Sequence, residues 1–206
     1  MEQERLRALF NKQATMYDQR RRKNAFDTKW RKKLLAKTKG QVLEVAVGAG
    51  ANFQFYEQAV ESVTAVDLSP AMLEKAKQAA DENGIETQFI VAAIEELTFA
   101  ADSFDTIVST LGLCAYSNPV EILNRFNVWC KRGGQILLLE HGISSSRPIA
   151  WMQNKIDRWH VKKVGCHANR DILKIVSDSD VVLQQREGHY LDVFHLIWAT
   201  SGEKPV

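Results

Sequence analysis

The stretch Val42–Asn52, VLEVAVGAGAN, constrains the fold of this chain more than any other. An apolar run of strand character ends in Gly48-x-Gly50, and a helix is predicted directly after it, over about Asn52–Ala59. Glycines at such a place let the backbone turn tightly and approach a ligand, and the start of a helix leaves N–H groups unpaired. In dinucleotide-binding units those groups cradle a pyrophosphate, and a third glycine follows. Here Phe53 holds the third position, and an acidic residue, Glu44, sits inside the strand. Taken alone, the two glycines fit a plain tight turn equally well.

The remaining chain supplies the context. Residues 3–38 read as helical, with Leu6, Leu9, Phe10, Gln13 and Tyr17 along one stripe. After the strand QVLEVAV come strand SVTAVD, a helix opened by Ser69-Pro70 and closed by Asn83-Gly84, and strand ETQFIVA. Ser69 suits an N-cap and Pro70 the first helical position. Strand FDTIVST, helix PVEILNRFNVWCKR, a stop at Gly133-Gly134 and strand QILLLEH follow. Such alternation implies a parallel sheet covered by helices on both faces. After a last helix, NRDILKIVSDS, the segments VVLQQREGHYLD and VFHLIWATS read as a closing antiparallel hairpin. The expectation is a single α/β domain over 1–206, Rossmann-like and doubly wound, with a seven-stranded mostly parallel sheet. Within it lie an N-terminal helical cap (1–39), a core (40–142), an inserted lid helix (143–168) and the last helix with the hairpin (169–206).

Composition narrows the class. A chain of 206 residues can bury a core without staples, and Cys114, Cys130 and Cys166 form no C-x-x-C pair. The start, MEQERLRALF, is charged where a signal peptide is apolar, and no stretch of about 18 apolar residues occurs. The expected location is cytoplasmic. The net charge of +2 is unevenly spread: residues 1–40 carry 13 Lys/Arg against 4 Asp/Glu, and residues 41–118 carry 2 against 12. A basic arm of this kind suits nucleic acid or an anionic membrane surface, or a helical face held against the acidic body. No aromatic residues are interleaved through it in a base-stacking pattern, which weakens the nucleic-acid reading.

Asp67 closes the second strand, 17 residues beyond Gly50. A carboxylate there can accept hydrogen bonds from the ribose hydroxyls of an adenosine. Its other reading, a cap for the next helix, is already served by Ser69. At the carboxyl end of the third strand, Ile94 would lie beside an adenine ring, with the Ala93 N–H or Glu95 nearby.

In order and at fitting separations, VLEVAVGAGAN, AVDLSPAML, ADSFDTIVSTLGL and RGGQILLLEHG resemble the successive motifs of class I S-adenosylmethionine-dependent methyltransferases. The likeness is to the branch with ubiquinone/menaquinone C-methyltransferases, phospholipid N-methyltransferases and methyltransferase-like thiol methyltransferases. It covers about residues 10–142 and continues more weakly through GCHANRDI. It implies S-adenosylmethionine as cofactor and a set of binding residues. Glu44 would orient the turn on the methionine side, where Asn52 also belongs, and Gly48 and Gly50 would pass beneath the cofactor. Asp67 would hold the ribose, Leu68 and Met72 would flank the adenine, and Ile94 would touch it. Ser109 to Leu113, including Leu111, would line the methyl-transfer channel, and Tyr17 would close the pocket unless it packs a helix. One departure is Ala46 at the family's first glycine, a methyl group that would narrow the methionine side.

Methyl transfer from a sulfonium needs alignment and dryness more than a base, since the leaving group is already activated. His141, at the carboxyl edge of the fifth strand, is the candidate catalytic base or else a hydrogen-bonded wall residue. Cys166 and His167 are candidates to face the acceptor, with Asn169 as cap of the next helix. The scattered histidines give no metal-ligand spacing, so no metal is expected. The insertion SSSRPIAWMQNKIDRWHVKKVGC is a basic amphipathic helix with three readings: a lid that selects the acceptor, a peripheral membrane contact, or simple packing. The expected acceptor is small or lipid-like. The rival readings are a nucleic-acid (RNA) methyltransferase, for which STLGLCAY lacks an Asn-Pro-Pro-aromatic tetrad, and a NAD-linked oxidoreductase.

Overall fold

A computed structural model describes residues 2–23 and 25–203. Helices α1 (Glu2–Arg21) and α2 (Thr28–Leu35) precede a seven-stranded sheet. Its strands are β1 (Gly40–Val45), β2 (Val60–Asp67), β3 (Thr87–Val91), β4 (Phe104–Thr110), β5 (Cys130–His141), β6 (Val181–His189) and β7 (Phe194–Ser201). Helix α3 (Pro70–Asn83) links β2 to β3, and α4 (Pro119–Trp129) links β4 to β5. Helices α5 (Arg147–Val164) and α6 (Ile172–Ser177) lie between β5 and β6. The strand order is β3-β2-β1-β4-β5-β7-β6, with β7 antiparallel to both of its neighbours and the rest parallel.

The period of two along each central strand builds both faces at once. Leu43, Ile107 and Leu138 join the core under α4 and α6, whereas Val42, Val108 and Leu137 join the core under α2 and α3. Phe126 of α4 and Leu34 of α2 are fully buried on opposite sides. Burial of each such side chain contributes roughly 1.5–3 kcal/mol. Helix α3 has the ends its sequence implies: the Met72 N–H donates to Ser69 Oγ (3.1 Å), and Gly84 closes it with φ +66°.

Several boundaries differ from expectation. The N-terminal helix is two helices, because the chain turns between Arg21 and Thr28 to lay α2 on the sheet. The helix expected over Asn52–Ala59 is a single 3₁₀ turn, Phe53–Phe55, whose first ring dives into the core. Gly133-Gly134 does not stop a helix. It forms an irregularity inside β5, where Gly133 has φ +74° and a side chain on Gly134 would meet Cys130 Sγ and the Asp105 carbonyl. Asn169 caps nothing, since Asp171 accepts the Lys174 N–H (3.0 Å) at the start of α6.

Three cations of the basic arm are answered by carboxylates of the body. Arg21 and Arg22 both pair with Glu82, and Lys33 pairs with Glu187. Arg31 is different, because it is buried. Its Nε donates to Asp27 Oδ2 (2.9 Å), and its Nη1 donates to Asn52 Oδ1 (2.7 Å) and Thr110 Oγ1 (2.9 Å). Removing one member of a buried pair leaves the other uncompensated. Arg31→Ala is therefore expected to cost about 3–5 kcal/mol in urea unfolding. Lys33→Ala, which removes an exposed pair, should cost less than about 1 kcal/mol. Equal small losses would show that Arg31 does not anchor α2.

Candidate functional site

A pocket opens at the carboxyl edge of the sheet, where the strand order reverses between β1 and β4. Ligands of open α/β sheets bind at such a crevice. Its floor is built from strand ends: Ala46 after β1, Asp67 and Leu68 at β2, Ala92 to Glu95 after β3, and Leu111 with Gly112 after β4. Ala115, Tyr116 and Ser117 close one side. The roof is α1, which contributes Gln3, Leu6, Phe10 and Tyr17.

Ala46 and Leu111 stand on either side of the crevice, both left-handed, with φ of +50° and +61°. That conformation costs a side-chain-bearing residue about 1–2 kcal/mol. It turns the chain sharply out of each strand, and a Cβ on the neighbouring Gly112 would crowd the Tyr116 hydroxyl (2.9 Å), Ser109 Oγ (3.0 Å) and the Ala46 Cβ (3.2 Å).

Asp67 is the polar centre of the floor. The Gly48 N–H donates to its Oδ2 (2.9 Å) and the Ser69 N–H to its Oδ1 (2.8 Å). Burial outweighs these two bonds and raises the carboxyl to about 6. The glycines have separate reasons. Gly48 takes φ +56° to aim its amide at Asp67. Gly50 takes φ +78°, and a Cβ on it would collide with the Phe53 ring and Ala79. Phe53 thus occupies the space that a third glycine leaves open in dinucleotide folds.

Glu44 does not line the pocket. It is buried beneath the turn, accepting from Asn52 Nδ2 (2.9 Å) and from the Tyr56 hydroxyl (2.6 Å), and burial raises it to about 7. Asn52 and Gly50 likewise shape the turn from behind. Met72 is away from the pocket too, packed with Ala14 and Ala49 where α1 rests on α3. Asn11 secures that contact: its Oδ1 accepts from the Ser69 hydroxyl (2.6 Å) and the Ala71 N–H (3.3 Å). Ser109 also points away from the cavity, donating to Glu140 Oε1 (2.9 Å). The expected residues that do meet at the pocket are Tyr17, Ala46, Asp67, Leu68, Ala93, Ile94, Glu95 and Leu111.

Sequence reasoning missed Glu140 and Tyr116. Glu140 is fully buried and accepts the N–H groups of Gly112 and Leu113 (both 3.2 Å), so it holds the loop after β4. Burial raises its carboxyl to about 7. An acid inside the apolar run LLLEH was the available signal, the same one that marked Glu44. Tyr116 has a buried hydroxyl without a hydrogen-bond partner at the pocket wall.

Two expectations are corrected. His141 does not face the pocket; its Nε2 lies 3.6 Å from Cys166 Sγ, and its ring neighbours are His160 and Phe194. The imidazole is turned away because β5 runs on into pairing with Phe194 of β7. The insertion is helical, but no residue of α5 lines the pocket, which α1 covers instead. On α5 only Gln153 is buried, with Trp151 65% and Trp159 60% exposed. Cys166 faces His141, and His167 pairs with Asp157 (2.8 Å).

The methyltransferase domain family matches residues 43–138, the span that builds this floor. The chain is 31% identical over 182 residues to the mitochondrial methyltransferase OMS1 of Saccharomyces cerevisiae, covering 79% of this chain and 38% of that protein. It is 28% identical over 141 residues to the phosphatidylethanolamine N-methyltransferase of Cereibacter sphaeroides, covering 68% of each. It thus spans well under half of the yeast relative and about two thirds of the bacterial one. Geranyl diphosphate C-methyltransferase of Streptomyces coelicolor, solved with S-adenosyl-L-homocysteine, superposes with a TM-score of 0.67 at 13% identity, over 85% of this chain and 77% of that one. With the motifs in order, the sheet in this topology and the family matched over its floor, residues 43–138 of the chain form a methyltransferase domain, in the fold of the class I S-adenosylmethionine-dependent methyltransferases.

Proposed function

We propose that this protein transfers a methyl group from S-adenosylmethionine to a small or lipophilic acceptor in the pocket under α1. The observation that carries this reading is Asp67, a buried carboxylate on the floor of a largely apolar pocket. Its two backbone donors leave lone pairs free for the ribose hydroxyls. Ala93, Ile94 and Glu95 would then frame the adenine, and Ala46 with Leu111 would flank the methionine side. The unpaired Tyr116 hydroxyl supplies a donor to the same space.

The cofactor, when bound, supplies an electrophilic methyl group on a sulfonium that leaves as a neutral thioether. The protein's part is alignment and exclusion of water. Phe10, Leu6 and Tyr17 of α1 roof the cavity, and burial holds the Tyr17 phenol above its ordinary pKa, so it stays a neutral donor. No histidine or cysteine is among the described pocket-lining residues, which suits an acceptor that is already nucleophilic. The nucleic-acid reading is disfavoured, since Arg21, Arg22, Arg31 and Lys33 are engaged by carboxylates.

A specific observation favours a lipid-like acceptor. Trp151, Met152, Ile156 and Trp159 form an exposed stripe on α5, and the Lys155 ammonium lies 5.7 Å over the Trp151 ring. Aromatic rings with flanking cations suit the boundary of an anionic bilayer. The helix is not apolar enough to cross one.

Two measurements test these readings. Ribose hydroxyls need the ionised Asp67, so calorimetric affinity for S-adenosylhomocysteine should be full only well above pH 6 and fall as the pH drops through about 6. Asp67→Asn should weaken binding by about 1.5–3 kcal/mol and flatten that profile. Unchanged affinity in a folded variant would remove Asp67 from the site. Separately, replacing Trp151 and Trp159 together by Ala should abolish sedimentation with phosphatidylglycerol vesicles while leaving S-adenosylhomocysteine affinity intact. Retained vesicle binding would rule out α5 as the lipid contact.

A further inference from the structure

Outside the pocket, three soft donors from separate parts of the chain converge. Cys114 lies in the loop after β4, His141 ends β5, and Cys166 follows α5. Their ligand atoms, two Sγ and one imidazole nitrogen, all lie within 4.8 Å of one another. We propose that Cys114, His141 and Cys166 form a binding site for a borderline-soft divalent cation, with Zn²⁺ the best match to the donors.

The geometry is close to that of a bound ion. Donors at about 2.3 Å (sulfur) and about 2.0–2.1 Å (nitrogen) on a tetrahedral zinc stand roughly 3.5 Å apart. The observed separation of Cys166 Sγ from His141 Nε2 is 3.6 Å. The absence of carboxylate from this donor set points away from Mg²⁺ and Ca²⁺, which take oxygen ligands.

The donors are also held in place before any ion arrives. The Cys114 carbonyl accepts the His167 N–H (3.0 Å) and Arg170 Nε (3.2 Å), tying the two cysteine loops together. The Cys166 carbonyl lies 2.8 Å from His160 Nδ1. The His141 ring is wedged between those of His160 and Phe194. On binding, each thiol gives up its proton to solvent and forms a metal–sulfur bond, so two protons leave for one dication. The resulting complex of two thiolates and Zn²⁺ is neutral. Neutrality matters because Cys114 is 1% exposed and an uncompensated charge there would be costly. Three protein donors leave a fourth position for water or another ligand. Because Cys114 adjoins Ala115 of the pocket wall, an ion here would brace the loop from Leu111 to Ser117. The site does not depend on what the pocket methylates.

The test uses the whole chain, reduced and stripped with a chelator. Co²⁺ titration should give one equivalent of a tetrahedral species with a sulfur-to-cobalt charge-transfer band, displaced by Zn²⁺. Zn²⁺ should also protect Cys114 and Cys166 from alkylation, read by mass spectrometry. Cys166→Ser and His141→Ala should each lower Zn²⁺ affinity, measured against a chromophoric chelator, by more than the roughly 10- to 100-fold caused by losing a supporting group. Cys114→Ser should do the same; where that buried variant fails to fold, the other two carry the comparison. A missing charge-transfer band, or an unchanged band in Cys166→Ser, would overturn the site. So would a reduced protein that takes up no metal and only forms a Cys114–Cys166 disulfide in air.

Discussion

The rest of the structure depends on the buried hydrogen-bond network that runs from Arg31 through Asn52 to Glu44. One guanidinium reaches Asp27, Asn52 and Thr110, and Asn52 passes the connection to Glu44, which Tyr56 also donates to. Through it, α2, the glycine turn, β1 and the end of β4 become one body. The network is expensive in desolvation, as the rise of Glu44 to about 7 records. Its members are nevertheless hydrogen-bonded to one another, which makes burial tolerable. The turn beside the pocket is therefore held from behind by polar groups that do not line it.

The same device appears twice more at the carboxyl edge of the sheet. Asp67 ties the Gly48 amide to the start of α3, and Glu140 ties Ser109 to the loop after β4. Each carboxylate closes a strand or precedes its last residue, so each can reach the backbone N–H groups of a loop that has left the sheet. Loops positioned this way behave less like flexible connections than like extensions of the strands. The left-handed Ala46 and Leu111 are sustained by this over-determination, since their strain has no relief unless the surrounding loop moves.

Helices α1 and α5 differ in how far they fill the roles their sequences imply. Helix α1 reads as a cap, and Leu6, Phe10 and Tyr17 roof the pocket while Arg21 at its end pairs with Glu82 of the acidic body. Helix α5 looks built to enclose something, yet its tryptophans face outward. An amphipathic pattern specifies that a face is apolar; it does not specify what covers that face. The cover is decided by where the preceding loop delivers the helix.

Much of the fold was legible in the chain. Short apolar runs alternating with capped helices dictate a parallel sheet with two covered faces, and Ser69-Pro70 and Gly84 mark α3 because caps act locally. The place of Asp67 on the pocket floor was legible because it follows from a strand end plus a fixed distance from the glycine turn. Gly133-Gly134 misled because a helix stop and a bulge demand the same backbone freedom, and only the pairing of β5 with β4 chooses between them. Glu44 was expected to orient the turn, and it does so from beneath, by holding Asn52 and Tyr56 rather than by lining the pocket. Cys114, His141 and Cys166 lie too far apart along the chain for any spacing rule to join them. Sequence by itself determined the strand–helix alternation of the core, the caps of α3 and the order in which the cofactor motifs arrive, because those depend on neighbours within a few residues. Tertiary structure alone decided which helix roofs the pocket, which carboxylates serve loops and which thiols meet an imidazole, because these contacts join residues that only the assembled sheet brings together.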